Sequence, residues 1–159
     1  MKKRLSDTQK LRFLLHRHYG SYESYIRRVV PKYEEIQKAI VQAIPFKKND
    51  KILVMELGLG TGETSNRILN NFKNVKVEAI EYSEKMKELA TQRLSKYKSR
   101  FNIFLGDFTK VWPNKKYDII ISTLAIHHVK EKDKIPLLKI IFNFLLDIFH
   151  PIFFNKFSC

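Results

Sequence analysis

The sequence predicts an α/β fold: a doubly wound, mostly parallel sheet preceded by N-terminal helices. Three observations carry that expectation. From Asp50 onward, short apolar runs alternate with longer segments of helical periodicity. The first run closes on Gly58, Gly60 and Gly62, a turn that leads directly into a helical pattern. Acidic residues then recur at the ends of successive runs, at Glu56, Glu81 and Asp107. Repeated strand–helix units place parallel strands side by side, with helices on both faces.

The elements follow in order. Residues 6–18 read as a short basic amphipathic helix, capped by Ser6 or Asp7, with Leu11, Leu14 and Leu15 as its apolar stripe. Gly20 breaks it. A second helical pattern covers 22–43, and Pro31 inside it predicts a kink or two helices meeting there. Residues 51–56 (KILVME) form a strand buried on both faces. Residues 61–72 form a helix and 75–80 a second strand. Residues 83–97 form a helix capped by Ser83, with Met86, Leu89, Ala90 and Leu94 facing inward. Strands are expected at 100–105 and 117–122, an apolar helix at 132–149, and a fifth strand at 151–157. The organisation expected is a helical cap region over 1–49 and a sheet domain over 50–159.

Composition narrows the class. The chain has 159 residues, 44% hydrophobic and 13% aromatic, which suits one folded core rather than a disordered or fibrous chain. One cysteine, Cys159, excludes an intramolecular disulfide and supplies no thiolate cluster for zinc. No metal site is expected, and a reducing cytoplasm is the simplest compartment. Basic and histidine residues interrupt the N-terminal stretch where a signal peptide needs continuous apolarity. The formal charge is +14, from 30 Lys and Arg against 16 Asp and Glu. Such a balance suits a polyanionic partner such as RNA. A merely solvated basic surface accounts for it more readily, because the lysines are scattered.

Three features fall at the carboxyl ends of three successive strands, where open parallel sheets bind ligands. The first is Glu56-Leu57-Gly58-Leu59-Gly60-Thr61-Gly62. Its glycines let backbone approach a ligand closely. Their G-x-G-x-G spacing differs from the dinucleotide fingerprint. Glu56 is costly as buried filler, and a ligand ammonium group, met directly or through water, would justify it. An ordinary strand-to-helix turn is the competing reading. The second feature is Glu81, 19 positions after Gly62, placed to accept from both hydroxyls of a ribose, with Tyr82 beside it for an adenine face. A solvated acid at a strand end competes. The third is Gly106-Asp107-Phe108, where Asp107 can accept from an adenine amino group and Phe108 can form a wall. A helix cap is the alternative for Asp107.

The stretches ILVMELGLGTGETSNRIL, VEAIEYSEKMKELA, FLGDF and YDIIISTLAIHHV resemble, in order, the first four motifs of the class I S-adenosylmethionine-dependent methyltransferases. The resemblance covers residues 50–141 and implies a Rossmann-like fold with S-adenosylmethionine (SAM) as cofactor. It implies that Gly58, Gly60 and Gly62 pass beneath the methionine part and that Glu56 assists near its amino group. Glu81 would hold the ribose, Asp107 and Phe108 would frame adenine, and Tyr82 and Thr123 would complete the set. Residues 22–40 (YESYIRRVVPKYEEIQKAI) also resemble the N-terminal helices of some small members, including a group that modifies the tRNA wobble uridine. That likeness makes Tyr25, Arg28 and Tyr33 candidates for closing over the cofactor.

Methyl transfer from a sulfonium needs alignment more than acid–base help, so no catalytic residue is assigned. His127 and His128, after the fourth strand, are the candidates for orienting an acceptor or accepting its proton. A helix cap or a bond to a backbone carbonyl is the alternative for either. The acceptor expected is a small molecule or an RNA nucleoside. A non-catalytic SAM-binding module acting through a partner is the second reading, and a nicotinamide-dependent dehydrogenase the third.

The C-terminal stretch departs from the family pattern, which continues through a glycine turn, a fifth strand and a final antiparallel hairpin. Residues 142–154 (FNFLLDIFHPIFF) contain no glycine, and six of the twelve Phe lie from Phe142 onward. The hairpin is therefore expected to be missing. An out-of-frame tail, a shortened domain that forms a homo-oligomer or meets a partner through this apolar segment, and a membrane-inserting helix are the three accounts. Membrane insertion is the least favoured, because Lys139, Asp147 and Pro151 interrupt the span.

Overall fold

A computed structural model of the chain describes residues 22–97 and 99–145. The helix expected at 6–18 and the strand expected at 151–157 lie outside those residues. The chain divides into two compact units between Pro45 and Phe46.

Among the described residues, the first unit holds two helices, α1 (Tyr22–Val29) and α2 (Tyr33–Gln42). Of the two outcomes expected at Pro31, the chain takes the second: the helix stops and restarts. Lys32 adopts φ 57°, ψ 31° at the start of α2. Within the unit the Arg27 guanidinium lies 5.4 Å from the centroid of the Tyr33 ring.

In the second unit the described residues form a four-stranded parallel sheet in the order β3-β2-β1-β4. Its strands are β1 (Ile52–Leu57), β2 (Val75–Glu81), β3 (Phe101–Leu105) and β4 (Ile119–Ile121). Helix α3 (Glu63–Asn71) joins β1 to β2, and α4 (Glu84–Arg93) with a 3-10 turn (Ser95–Tyr97) joins β2 to β3. After β4 come a second 3-10 turn (Ile126–His128) and α5 (Glu131–Phe144). The order reverses between β1 and β4, so the chain is doubly wound as expected.

Strand alternation divides the core between two faces. Val54, Val75, Val77 and Ala79 share one face, and α3 contributes Ile68 and Leu69 to the buried set. Met55, Leu57 and Ile80 face the other way and gather with Tyr117, while Ile141 and Phe144 of α5 pack against them. Trp112 stacks on Phe144 with ring centroids 4.9 Å apart. The Tyr117 hydroxyl donates to Glu78 at 2.8 Å. Burial, with that carboxylate as acceptor, pushes the phenol well above its ordinary pKa.

Several boundaries differ from expectation. Helix α3 begins two residues late because Gly62, at φ 81°, still belongs to the turn. The 83–97 helix stops at Arg93 and tightens into 3-10 geometry. Its Ser83 cap forms, accepting from the Met86 amide. The 117–122 strand shrinks to three residues: Tyr117 bridges Leu145 instead, and the Ser122 hydroxyl donates to the Leu57 carbonyl at 2.9 Å. The helix expected to reach 149 ends at Phe144. Leu145 is extended and bridges Tyr117 in parallel, with the Tyr117 amide donating to Phe144 O at 2.8 Å. Competition from sheet pairing, invisible in an apolar run, ends that helix early. Pro136 sits inside α5 and removes one of its ladder donors. Among the described residues, no helix is long and apolar enough to cross a membrane.

Candidate functional site

The carboxyl ends of β1, β2 and β3 lie level with one another. Leu57 pairs with Ile80, and Glu81 pairs with Leu105. The ladder runs one residue further on each side, through Gly58 N to Ile80 O and Gly106 N to Glu81 O, both 2.9 Å. Thus the glycine turn, Glu81 and Gly106-Asp107 emerge side by side.

The three glycines meet different demands. A Cβ on Gly58 would stand 2.3 Å from the Ala125 Cβ, so the turn is pressed against the segment after β4. A Cβ on Gly62 would meet Leu94 Cδ1 at 3.0 Å, which fixes the start of α3 against the end of α4. Gly60, at φ 57°, has nothing within 4 Å of its Cβ position. Among the described residues its surroundings are open, which leaves room there for another molecule.

Glu81 ties this turn down. Its Oε2 accepts the Gly60 N–H at 2.9 Å, and its Oε1 accepts the Ser83 N–H at 2.8 Å. Only 8% of the residue is exposed. Burial raises its carboxyl pKa, while backbone donors from Ser83, Gly60 and Tyr82 oppose the rise. A carboxylate oxygen has more than one acceptor site, so these bonds do not exhaust Glu81. Tyr82 next to it is 55% exposed and presents its ring to solvent.

Glu56 lies near the end of β1. It is buried to 1% exposure and accepts from the Ser65 hydroxyl of α3. Burial pushes its pKa to about 8, and the Glu81 charge adds to the rise, whereas hydrogen bonds from Ser65 and Thr64 oppose it. The Thr64 and Thr123 hydroxyls are hydrogen-bonded to one another, their oxygens 3.3 Å apart. A polar thread therefore runs from the end of β1, through the first turn of α3, to the exit of β4.

Asp107 takes the capping role that the sequence left open. Its Oδ1 accepts from the Thr109 amide at 2.9 Å and the Thr109 hydroxyl at 2.7 Å. Its Oδ2 stands outside those bonds. Phe108 packs against the Met55–Tyr117 cluster, with Cε1 3.7 Å from the Gly58 Cβ position. The Trp112 indole donates to its carbonyl at 2.7 Å.

His127 and His128 are exposed on the 3-10 turn, with ring centroids 3.9 Å apart. Just before them Leu124 adopts φ 56°, a left-handed conformation unusual for leucine. In the first unit, Tyr25 and Arg28 are exposed on α1, the Arg28 Nε donating to Ser24 O at 3.3 Å. Tyr33 is half-buried beneath Arg27.

With this geometry, a family model described as a methyltransferase domain matches residues 54–147. The chain belongs to the methyltransferase domain family. The match spans the glycine turn, the acidic strand ends and the exit of β4. An uncharacterized methyltransferase of Anoxybacillus flavithermus is 35% identical over 117 residues, 73% of this chain and 49% of its own length. One from a Geobacillus species is 32% identical over 114 residues, 71% of this chain and 48% of its own. The methyltransferase chain thus spans about half the length of the curated relatives it matches. Among solved structures, a SAM-dependent methyltransferase from Clostridium acetobutylicum superposes with TM-score 0.66 at 19% identity, covering 84% of this chain and 54% of that one. A SAM-bound amino pentose methyltransferase from Micromonospora echinaspora superposes with TM-score 0.61 at 21% identity, covering 79% and 51%. Both likenesses concern the fold.

Sequence reasoning overlooked four residues of this candidate site. Ser65 and Thr64 carry the hydrogen bonds to Glu56, and two adjacent hydroxyls in the first turn after the glycines were the available signal. Ala125 faces Gly58, and Leu124 holds the left-handed bend. No local pattern marks either one.

Proposed function

We propose that this domain binds SAM across the carboxyl ends of β1, β2 and β3 and transfers its methyl group to a small molecule or an RNA nucleoside. The observation that carries the reading is the clasp of Glu81 on the Gly60 amide beside open space over Gly60. That pairing holds a bare stretch of backbone in a rigid shape where a bulky ligand has room. The residues suit the group: a cationic nucleoside ligand meets carboxylates at Glu81 and Asp107, an exposed aromatic ring at Tyr82 and, among the described residues, no side chain above Gly60.

In this reading Glu81 directs its remaining lone pairs to the ribose hydroxyls, and Asp107 Oδ2 accepts from the adenine amino group. Tyr82 and Phe108 flank the base. Glu56, deep under α3, acts through Thr64 and Thr123 or a water rather than by direct contact, because only 1% of it is exposed. SAM supplies an electrophilic methyl group on a sulfonium. The chain's share of the work is alignment and exclusion of water, which can lower a barrier by roughly 7–11 kcal/mol in favourable cases. His127 or His128 orients the acceptor and takes its proton where one must leave. Tyr25, Arg28 and Tyr33 are the candidates for covering the bound cofactor.

The test is incubation of the purified chain with methyl-tritiated SAM and a panel of small amines, alcohols, thiols and transfer RNA. Label appearing in one acceptor class, and lost in Gly60→Val, supports the reading. SAM binding with no transfer to any class would make the domain a binding module instead.

A further inference from the structure

The strands also have a second end, and its surface is chemically distinct. Lys47, Lys48 and Lys51 lead into β1, while Lys73 and Lys76 lie before and within the start of β2. All five are exposed, and no carboxylate is recorded against their ammonium groups among the described residues. The two segments are stitched together: the Lys73 amide donates to Lys48 O at 3.0 Å, and Asn74 Nδ2 donates to Asn49 O at 2.7 Å. Arg100, leading into β3, joins the same edge by donating to the carbonyls of Leu69, Phe72 and Lys73. Lys115 and Lys116 stand ahead of β4.

The nearby acids are already engaged. Asp50 accepts from the Lys47 amide at 2.8 Å, and Asp118 accepts from the Leu53 amide at 2.7 Å. Glu78 takes Lys115 at 2.7 Å and the Tyr117 hydroxyl. Lys115 is thus paired with Glu78 and the Arg100 guanidinium is held by carbonyls, so Lys47, Lys48, Lys51, Lys73 and Lys76 carry the unpaired positive charge of this edge and outnumber Asp50 and Asp118. Adjacent strands lie about 4.8 Å apart, so the row across four strands extends about 14 Å.

We infer that this amino-terminal edge of the sheet docks the phosphate backbone of a single-stranded polynucleotide. Spaced, unpaired ammonium groups suit a chain of phosphates. Exposed Asn49, Asn71, Asn74 and Asn114 intersperse the lysines and can donate to sugar and phosphate oxygens. No exposed large hydrophobic residue falls in these segments among the described residues, which argues against a membrane surface. Among the described residues of the second unit, the segments that lead into β2, β3 and β4 are short connections rather than helices that could enter a duplex groove. The edge lies about 20 Å from the glycine turn, given strands of six or seven residues at about 3.3 Å each. Docking there positions the domain on a long polymer and takes no part in methyl transfer.

The test is fluorescence anisotropy with a labelled 20-nucleotide RNA of mixed sequence, titrated across a salt series. The variant Lys48→Gln/Lys51→Gln/Lys73→Gln/Lys76→Gln is compared with a charge-matched control, Lys85→Gln/Lys87→Gln/Lys132→Gln/Lys139→Gln. Circular dichroism verifies that both fold. The expected result is at least tenfold weaker binding for the first variant and near-native binding for the control. The slope of log K against log salt should fall by about 0.7 for each lost phosphate contact. Equal weakening in both variants would overturn the inference, leaving only diffuse charge. So would tighter binding to duplex DNA or to phosphatidylserine vesicles than to the RNA, or no binding by the wild-type chain.

Discussion

The Glu81 carboxylate accepts the Gly60 amide at 2.9 Å across 21 positions of sequence, joining the tip of β2 to the turn after β1. Because Oε1 holds Ser83 as well, one side chain sets the shape of two loops. Glu81→Gln puts an amide donor where a backbone N–H already points, so one of the two bonds is lost. A lost partner for a part-buried donor costs about 1–3 kcal/mol. We predict a lower unfolding midpoint of that size and SAM binding weakened by at least about tenfold, or 1.4 kcal/mol. Chemical denaturation and calorimetry read the two effects separately.

Gly58 and Gly60 should respond differently to a single methyl group. Gly58→Ala adds a Cβ 2.3 Å from the Ala125 Cβ at φ 77°. Left-handed backbone costs about 1–2 kcal/mol for an L-residue, and overpacking adds about 1–3 kcal/mol. Combining it with Ala125→Gly removes the clash and leaves the backbone cost, so the double variant should regain stability over Gly58→Ala. Gly60→Ala bears only the backbone cost, yet its methyl occupies the open space, so its loss appears in SAM affinity. Stability losses of equal size at the two positions would contradict this division.

Glu56 carries a pH signature. Its pKa is raised by burial, from the ordinary 4.5 to about 8 in the folded chain. Between those values the folded state holds a proton that the unfolded state has released. Stability from this group is therefore complete below pH 4.5 and declines as pH rises, until it levels off above about pH 8. Each pH unit within the window is worth roughly 1.4 kcal/mol at most. Glu56→Gln mimics the protonated form and should flatten the decline. Thermal unfolding of both proteins from pH 5 to pH 9 measures it. Parallel curves would show that Glu56 is ionised throughout.

His127 and His128 are tested as a pair because their rings touch, with centroids 3.9 Å apart. If either takes a proton from the acceptor, His127→Asn/His128→Asn should lower kcat by about 100-fold or more. SAM affinity should stay within about twofold, a difference of roughly 0.4 kcal/mol. Unchanged kcat would reduce both residues to surface positions.

The sheet domain was legible because its information is local. Valine and isoleucine runs ending in glycine or acid specify buried parallel strands, and all four expected strands between residues 51 and 122 form. The ends of elements were less legible. Gly62 belongs to the turn, and Leu145 leaves its helix to pair beside Tyr117, a competition settled 28 positions away in sequence. The site was legible as positions but not as partnerships. Glu56 announces a buried acid, yet nothing near it in sequence says that Ser65 rather than a ligand is its contact. Asp107 carries the signature of a cap and of a base-binding acid alike, and the Thr109 bonds resolve only half of that carboxylate.

Isothermal titration of the folded chain with SAM, set against NAD, tests the central claim most directly. The account predicts one-to-one binding of SAM with Kd on the order of micromolar, no heat with NAD, and a clear loss of SAM binding in Gly60→Val. A folded chain that gives no heat with SAM, or that binds it unchanged after that substitution, would contradict the account.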